Sequence, residues 1–382
     1  MESTAVLQKT KRESRKKLTI IDCDIHMPTV RDAVIAYLPR HYREQIATFG
    51  MRLPTQGAMY LNGAKGGIMQ DQSFPTDGTP ADLLAYFQKE HLDKYRVEHA
   101  ILTGLGDYAI QTTPDADYAA ALCTAYNNYL IDHYISGDPR IKGSIMIPKQ
   151  DPLLAAKEID RIGGHPGIVQ VISSNGAEKP YGHRFYYPIY EACERHGLPF
   201  AVHVSMEGIG INHPPTGAGY VNHYIEYRMA RTQIMMAHLA SMIFEGVFQR
   251  FPTLKFVMIE AGMLWIAPYI WRMDQDWKAL RSQTPWVKEP PSEIVRKRVL
   301  FTSQPLELPP DESLFLPLLK SMYGDTNLMF ASDYPHWDFD HPFKAFPKLD
   351  DELWDRIFYR NAAELYGLPP RKSESGAEGA PA

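Results

Sequence analysis

Eight short apolar runs recur along the chain, each bounded by turn residues and separated from the next by a helical stretch. They are LTIIDCD (18–24), EHAILTG (98–104), IKGSIMIP (141–148), GIVQVIS (167–173), LPFAVHV (198–204), LKFVMIEA (254–261), RVLFTS (298–303) and NLMFASD (327–333). Runs of this length and content read as parallel strands. Between them lie TPADLLAYFQKEHLDKYR (79–96), DYAAALCTAYNNYLIDHYIS (117–136), DPLLAAKEIDRIG (151–163), FYYPIYEACERHG (185–197) and YRMARTQIMMAHLASMIFEGVFQRF (227–251). Their apolar spacing is helical, and the last is apolar nearly all round, as a well-buried helix is. Strand and helix alternating eight times predicts an α/β fold, a (β/α)8 TIM barrel. A doubly wound open sheet is the alternative, but no glycine-rich phosphate turn follows the first strand.

The chain of 382 residues and 43.5 kDa has room for two or three domains, although α/β barrels of this size commonly form one unit. One barrel domain is expected over residues 18–370. A basic polar arm (1–17) and a polar tail (371–382) flank it, both expected to be disordered. Two irregular insertions interrupt the alternation, at 40–78 after strand one and 205–225 after strand five. Both leave the C-terminal end of a predicted strand, where barrel enzymes place their sites, so they are expected to wall a substrate pocket. A net charge of −5 argues against a nucleic-acid partner. No apolar run is long enough for a membrane span, and the N-terminus lacks the apolar core of a secretory signal. Cys23, Cys123 and Cys193 are too few and too scattered for a disulfide framework, which fits a reducing cytoplasm. Cys23 has the opposite strand parity to its acidic neighbours and reads as packing.

Strand one ends in Asp22, Asp24 and His26, at every second position, so a regular strand points all three to one face. Strand five ends in His203, strand six in Glu260 and strand eight in Asp333. Barrel closure brings these distant positions to one rim. Two imidazoles and two or three carboxylates meeting there suit Zn²⁺ first, with Mn²⁺ or Fe²⁺, as one ion or two, as the alternative. Mg²⁺ and Ca²⁺ favour shells made of oxygen alone.

These motifs resemble the amidohydrolase-related family, which includes aminocarboxymuconate semialdehyde decarboxylase and γ-resorcylate decarboxylase, over about residues 18–368. DCDIH resembles its D-x-[HED]-x-H opening, FASDYPH its strand-eight motif, EGVFQRFPTLKFVMIEAG its G-x-F-x-R segment, and FYRNAAELYGL its C-terminus. The resemblance implies Asp24, His26, His203 and Asp333 as metal ligands, with Asp333 also a base toward metal-bound water. Two departures stand out. Hydrolytic relatives with two metals carry a carboxylated Lys on strand four, and GIVQVIS has none. The decarboxylases carry a His after strand six, where this chain has Glu260. That residue is expected as a general base, as a ligand to a second ion, or as a partner to His203.

His238 lies on an apolar helix and is expected either as a satisfied core residue or facing the metal. His336, three residues past Asp333, is a candidate proton donor. His213 and His223 are expected near the pocket, and Trp265, Trp271, Arg272 and Trp337 as candidate pocket lining. Three functions follow. The first is a metal-dependent hydrolase or decarboxylase of a small, apolar or aromatic substrate. The second is a dinuclear iron or manganese oxygenase, as in an oxygen-activating branch of the fold typified by α-aminoisobutyrate hydroxylase. The third is an inactive barrel serving as a partner subunit. The resemblance also implies a homo- or hetero-oligomer.

Overall fold

The computed structural model describes residues 18–54, 74–75, 77–104 and 107–371. The arm 1–17, most of the first insertion and the tail from 372 lie outside them. All eight predicted strands form: β1 (Ile20–Ile25), β2 (Val97–Leu102), β3 (Ile141–Met146), β4 (Ile168–Ser174), β5 (Phe200–His203), β6 (Phe256–Ile259), β7 (Val299–Thr302) and β8 (Leu328–Met329). They pair in chain order, each parallel to the next. Strand residues are buried almost throughout, since side chains fill the interior on one face and helices cover the other. Among the described residues, no helix is long and apolar enough to cross a membrane.

The ring joins between β1 and β8. Cys23 N donates to Phe330 O at 3.0 Å, and His26 N donates to Tyr334 O at 2.8 Å beside an Ile25–Tyr334 bridge. Asp22 clasps the same seam. Its Oδ1 accepts from Ser332 N at 2.9 Å, and its Oδ2 lies 2.9 Å from Nε2 of the buried His91. This corrects the expectation of three polar groups on one face. The register of β1 slips between Asp22 and Ile25, so simple alternation fails there and Asp22 turns away from Asp24 and His26.

The helices of eight residues or more are α1 (Arg40–Phe49), α2 (Pro80–Phe87), α3 (Ala116–Tyr129), α4 (Pro152–Ile162), α5 (Tyr187–His196), α6 (Tyr224–Phe244), α7 (Ile266–Leu280) and α8 (Pro291–Arg298). Two differ from expectation. Residues 40–49, read as the start of a loop, are the helix α1, which buries no residue fully but lays Tyr42 and Ile46, one turn apart, against the core. The helix expected over 227–251 is two, because Gly246 adopts φ +77° after α6 and a side chain there would strike Trp286. The second insertion is irregular from 205 until α6 begins.

Candidate metal centre

Strand ends deliver the donors. Asp24 and His26 come from β1 and its exit, His203 from the end of β5, Glu260 from the residue after β6, and Asp333 from the turn after β8. Glu260 (φ +57°) and Asp333 (φ +60°) both hold left-handed backbone. Such strain, about 1–3 kcal/mol per residue, persists where surrounding structure fixes a side chain for use.

Asp24, His26 and His203 each offer a ligand atom within 4.8 Å of the others, as do His26, Asp333 and His336. His26 Nε2 is 2.8 Å from Asp333 Oδ1 and 3.3 Å from Asp24 Oδ1. His203 Nε2 is 3.4 Å from Asp24 Oδ2 and 3.5 Å from Glu260 Oε2. The far nitrogen of each ring is already engaged: His26 Nδ1 donates to Gly104 O, and His203 Nδ1 donates to Val204 O at 3.0 Å. In the neutral rings that metal ligation requires, this leaves both Nε2 atoms presenting lone pairs toward carboxylate oxygens. Asp24 Oδ2, His26 Nε2, His203 Nε2 and Asp333 Oδ2 are all buried without a hydrogen-bond partner.

Lone pairs facing lone pairs repel unless a proton or a metal ion stands between them. Orphaned at about 1–3 kcal/mol each, four such atoms would consume much of a domain's net stability of about 5–15 kcal/mol. The donor set therefore fits a divalent ion, and two imidazoles with two carboxylates are the right chemistry for Mn²⁺, Fe²⁺ or Zn²⁺. The same demand for positive charge shows in titration. Burial alone would lower His26, but Asp24 and then Asp333 outweigh it and raise the imidazole to about 10. Burial opposes charge on Asp333, yet His336 and His26 hold it well below the usual carboxylate range.

Neighbours fix these groups in place. Thr103 Oγ1 donates to Asp24 Oδ1 at 2.5 Å, and the Tyr108 ring stacks on His203 with centroids 5.3 Å apart. Glu260 Oε1 is 3.1 Å from Arg231 Nη1. Burial, with Asp333 beside it, pushes Glu260 up to about 7 against the pull of Arg231 and His203. His336 Nδ1 bonds Asp333 Oδ1 at 2.5 Å, and its side chain is 21 % exposed at the mouth.

His238 is not in this cluster, which corrects its assignment as a ligand or catalytic group. Its Nε2 donates to Asn175 O at 2.7 Å and its Nδ1 accepts from Tyr181 N at 3.1 Å, so no lone pair is left for a metal. Burial lowers it to about 4, keeping it neutral. It lines a cavity with His213, Pro214 and Pro215 instead. His223 is exposed, and its backbone N donates to Glu226 at the start of α6. Trp265 Nε1 donates to Ala261 O and Gly262 O, which makes it packing. Trp271 is exposed, and Arg272 pairs with Asp276 on the surface of α7. Only Trp337 of the proposed aromatic lining reaches the site's charged groups, through Arg228.

The structure adds Arg228, Arg231 and Asp338. Glu260, Asp333 and Asp338 form a third group of oxygens within 4.8 Å. Asp338 stands five residues after Asp333 in the strand-eight motif, and the arginines sit three apart on a helix, a spacing that puts both on one face. Those were the available signals. The chain also supplies a lysine that β4 lacks: Lys149, beyond β3, is buried with Nζ 2.7 Å from Ser174 Oγ and bonded to Gly176 O. Burial lowers it to about 7.

The amidohydrolase family profile matches residues 21–368. Among curated proteins, the chain is 24% identical over 296 residues to a gamma-resorcylate decarboxylase of Polaromonas sp. strain JS666, covering 72% of this chain and 85% of the relative. Among solved structures, an amidohydrolase from Mycobacterium avium subsp. paratuberculosis K-10 superposes with a TM-score of 0.68 at 21% identity, over 92% of this chain and 100% of the other. A dihydroxybenzoic acid decarboxylase from Polaromonas sp. JS666, with bound manganese and the inhibitor 2-nitroresorcinol, gives 0.61 at 16% identity, over 92% and 97%. At these identities the structural likeness bears on fold alone.

Proposed function

The chain belongs to the amidohydrolase family, and within it we propose a metal-dependent decarboxylase of a small aromatic carboxylate. The observation that carries the metal is the set of four buried, partnerless atoms on Asp24, His26, His203 and Asp333, the proposed ligands. Manganese takes the place of zinc as the first choice, because a solved relative holds it and the mixed donors accept it equally well. Decarboxylation is preferred to hydrolysis because the curated relative is a gamma-resorcylate decarboxylase.

When bound, the ion supplies a Lewis acid that steadies negative charge on substrate oxygens. The chain's own groups do the rest. The bond from ring carbon to carboxyl carbon breaks, CO₂ leaves, and a proton takes its place on the ring. Glu260 and His336 flank Asp333 and are the proposed proton carriers. Asp333 keeps His336 oriented through its Nδ1, and Tyr108 holds the His203 ring from its face.

A dinuclear oxygenase would seat its second ion among Glu260, Asp333 and Asp338. Arg231 and Arg228 already pair with the first and last of these, and two guanidiniums there disfavour another cation. An inactive subunit would have no use for four converging donors. The three cysteines are free and buried, which suits the cytoplasm proposed here. Assembly as an oligomer is part of the proposal, and light scattering tests it.

The manganese-loaded protein is to be incubated with a panel of hydroxybenzoates, in air and under argon. Equal yields of CO₂ and phenol, independent of oxygen and lost in His203→Ala, are expected. Oxygen consumption, or cleavage of esters or amides with no CO₂ from any acid, would overturn the reading.

A further inference from the structure

Arg228 and Arg231, one turn apart on α6, reach into the same ring of carboxylates. Arg231 is 12 % exposed; Nη1 meets Glu260, the guanidinium lies 5.1 Å from the Tyr227 ring centroid, and Nε is buried without a partner. Arg228 stands nearer the mouth. Its Nη2 donates to Asp338 Oδ2 at 2.5 Å, and its guanidinium lies 5.1 Å from the ring centroid of Trp337, a residue 56 % exposed. A cation with an open indole against it thus holds, through one nitrogen, a carboxylate that lies beside the proposed metal ligand Asp333.

We propose that Arg228 and Trp337 form a second anchoring point for the aromatic substrate, binding a negatively charged substituent on the side of the ring away from the metal, with Asp338 holding the guanidinium until that substituent displaces it. The inference deepens the decarboxylase reading by naming a substrate class, aromatic acids with a second anionic group. Charge supports it. Asp24, Asp333, Glu260 and Asp338 face two guanidiniums, and a divalent ion balances the remainder. An additional anion then enters favourably only by replacing a carboxylate. Asp338, its side chain 14 % exposed next to the open Trp337, has a route to water; Glu260, 6 % exposed and wedged between Arg231 and His203, has none. Arginine's planar fork suits exchange of one carboxylate for another, and the indole face supplies apolar contact for the ring. If the Arg228–Asp338 pair only tied the loop to α6, removing either partner would act in the same direction. Exchange makes the two act oppositely.

The test is calorimetric titration of manganese-loaded protein with 2-nitrophenol and with 4-hydroxy-3-nitrobenzoate, which differ only by a carboxylate far from the nitro–phenolate end. Neither has a carboxylate beside the hydroxyl to lose. The wild type is expected to bind the carboxylated ligand about tenfold or more tightly than the other. Arg228→Gln is expected to erase that preference, Asp338→Asn to tighten the carboxylated ligand alone by several-fold, and Trp337→Ala, at an exposed position, to weaken both ligands. Equal wild-type affinities, weaker binding of the carboxylated ligand in Asp338→Asn, or binding of neither ligand would each overturn the subsite. Carbon dioxide release reports separately on the chemistry: the expected binding pattern without CO₂ supports the subsite and refutes the decarboxylase.

Discussion

Replacing His238 with leucine distinguishes a core histidine from a metal ligand. In the structure this ring serves two backbone groups, donating to Asn175 O and accepting from Tyr181 N, both in the interior. Leucine strands both, at about 1–3 kcal/mol each, so the expected loss at pH 7.5 is about 2–6 kcal/mol. The pH dependence carries a second signature. Burial places His238 near 4 in the folded protein, below its ordinary value of 6.5. Between those values the unfolded chain binds a proton that the folded chain refuses, so stability falls as pH drops from 6.5 toward 4. The slope is up to about 1.4 kcal/mol per pH unit. The leucine variant lacks this contribution. Urea unfolding at pH 7.5, 6.5, 5.5 and 5.0, followed by far-ultraviolet circular dichroism, measures both effects, and elemental analysis of the same samples measures metal. A less stable variant, with a shallower acid slope and its full metal content, is expected. Unchanged stability with loss of the ion would refute this placement of His238.

Asp22→Ala leaves the Ser332 amide and His91 without their acceptor at the barrel seam. It should lower stability by about 2–5 kcal/mol by urea titration, with metal content retained in the folded protein. Burial lowers Lys149 from 10.5 to about 7, so the folded protein sheds a proton that the unfolded chain keeps, and stability from this group rises with pH between those values. Lys149→Met should flatten the wild-type curve between pH 7.5 and 9.5 by up to about 1.4 kcal/mol per unit, and identical slopes would contradict it. Restoring manganese to chelator-treated protein at a thousandfold excess over its dissociation constant should stabilise it by about 4 kcal/mol, read as a rise in melting temperature. A melting temperature indifferent to manganese would count against a site in the folded state.

The barrel was legible because its strands are short apolar runs at regular intervals, and such a period leaves few topologies. Asp24, His26, His203 and Asp333 were legible for a related reason: a polar metal-type residue at the end of an otherwise apolar strand has few uses other than the rim. Asp22 misled because parity counts residues, whereas a slipped register turns the side chain elsewhere. The sequence left two places open for His238, since a helix pattern shows that a position is buried but not which neighbour meets it. Asn175 and Tyr181, which occupy its two nitrogens, are 63 and 57 residues away. Arg228, Arg231 and Asp338 were passed over because charged residues on a helix flank and a loop look like solvated surface until the loop after β8 folds back on α6. Helix α1 escaped notice because it is short and mostly polar, although Tyr42, Ile46 and Phe49 carried a helical period that could have revealed it. The expectation that the insertion over 40–78 walls the pocket falls largely on residues 55–73 and 76, outside those described.

Elemental analysis of protein purified without chelator, beside His203→Ala and Asp333→Asn, addresses the metal centre most directly. One divalent ion per wild-type chain, manganese ahead of zinc, is expected, falling to background in both variants while each keeps its circular dichroism spectrum. A wild type that takes up no ion, or variants that retain it in full, would show that the four buried donors serve some other end.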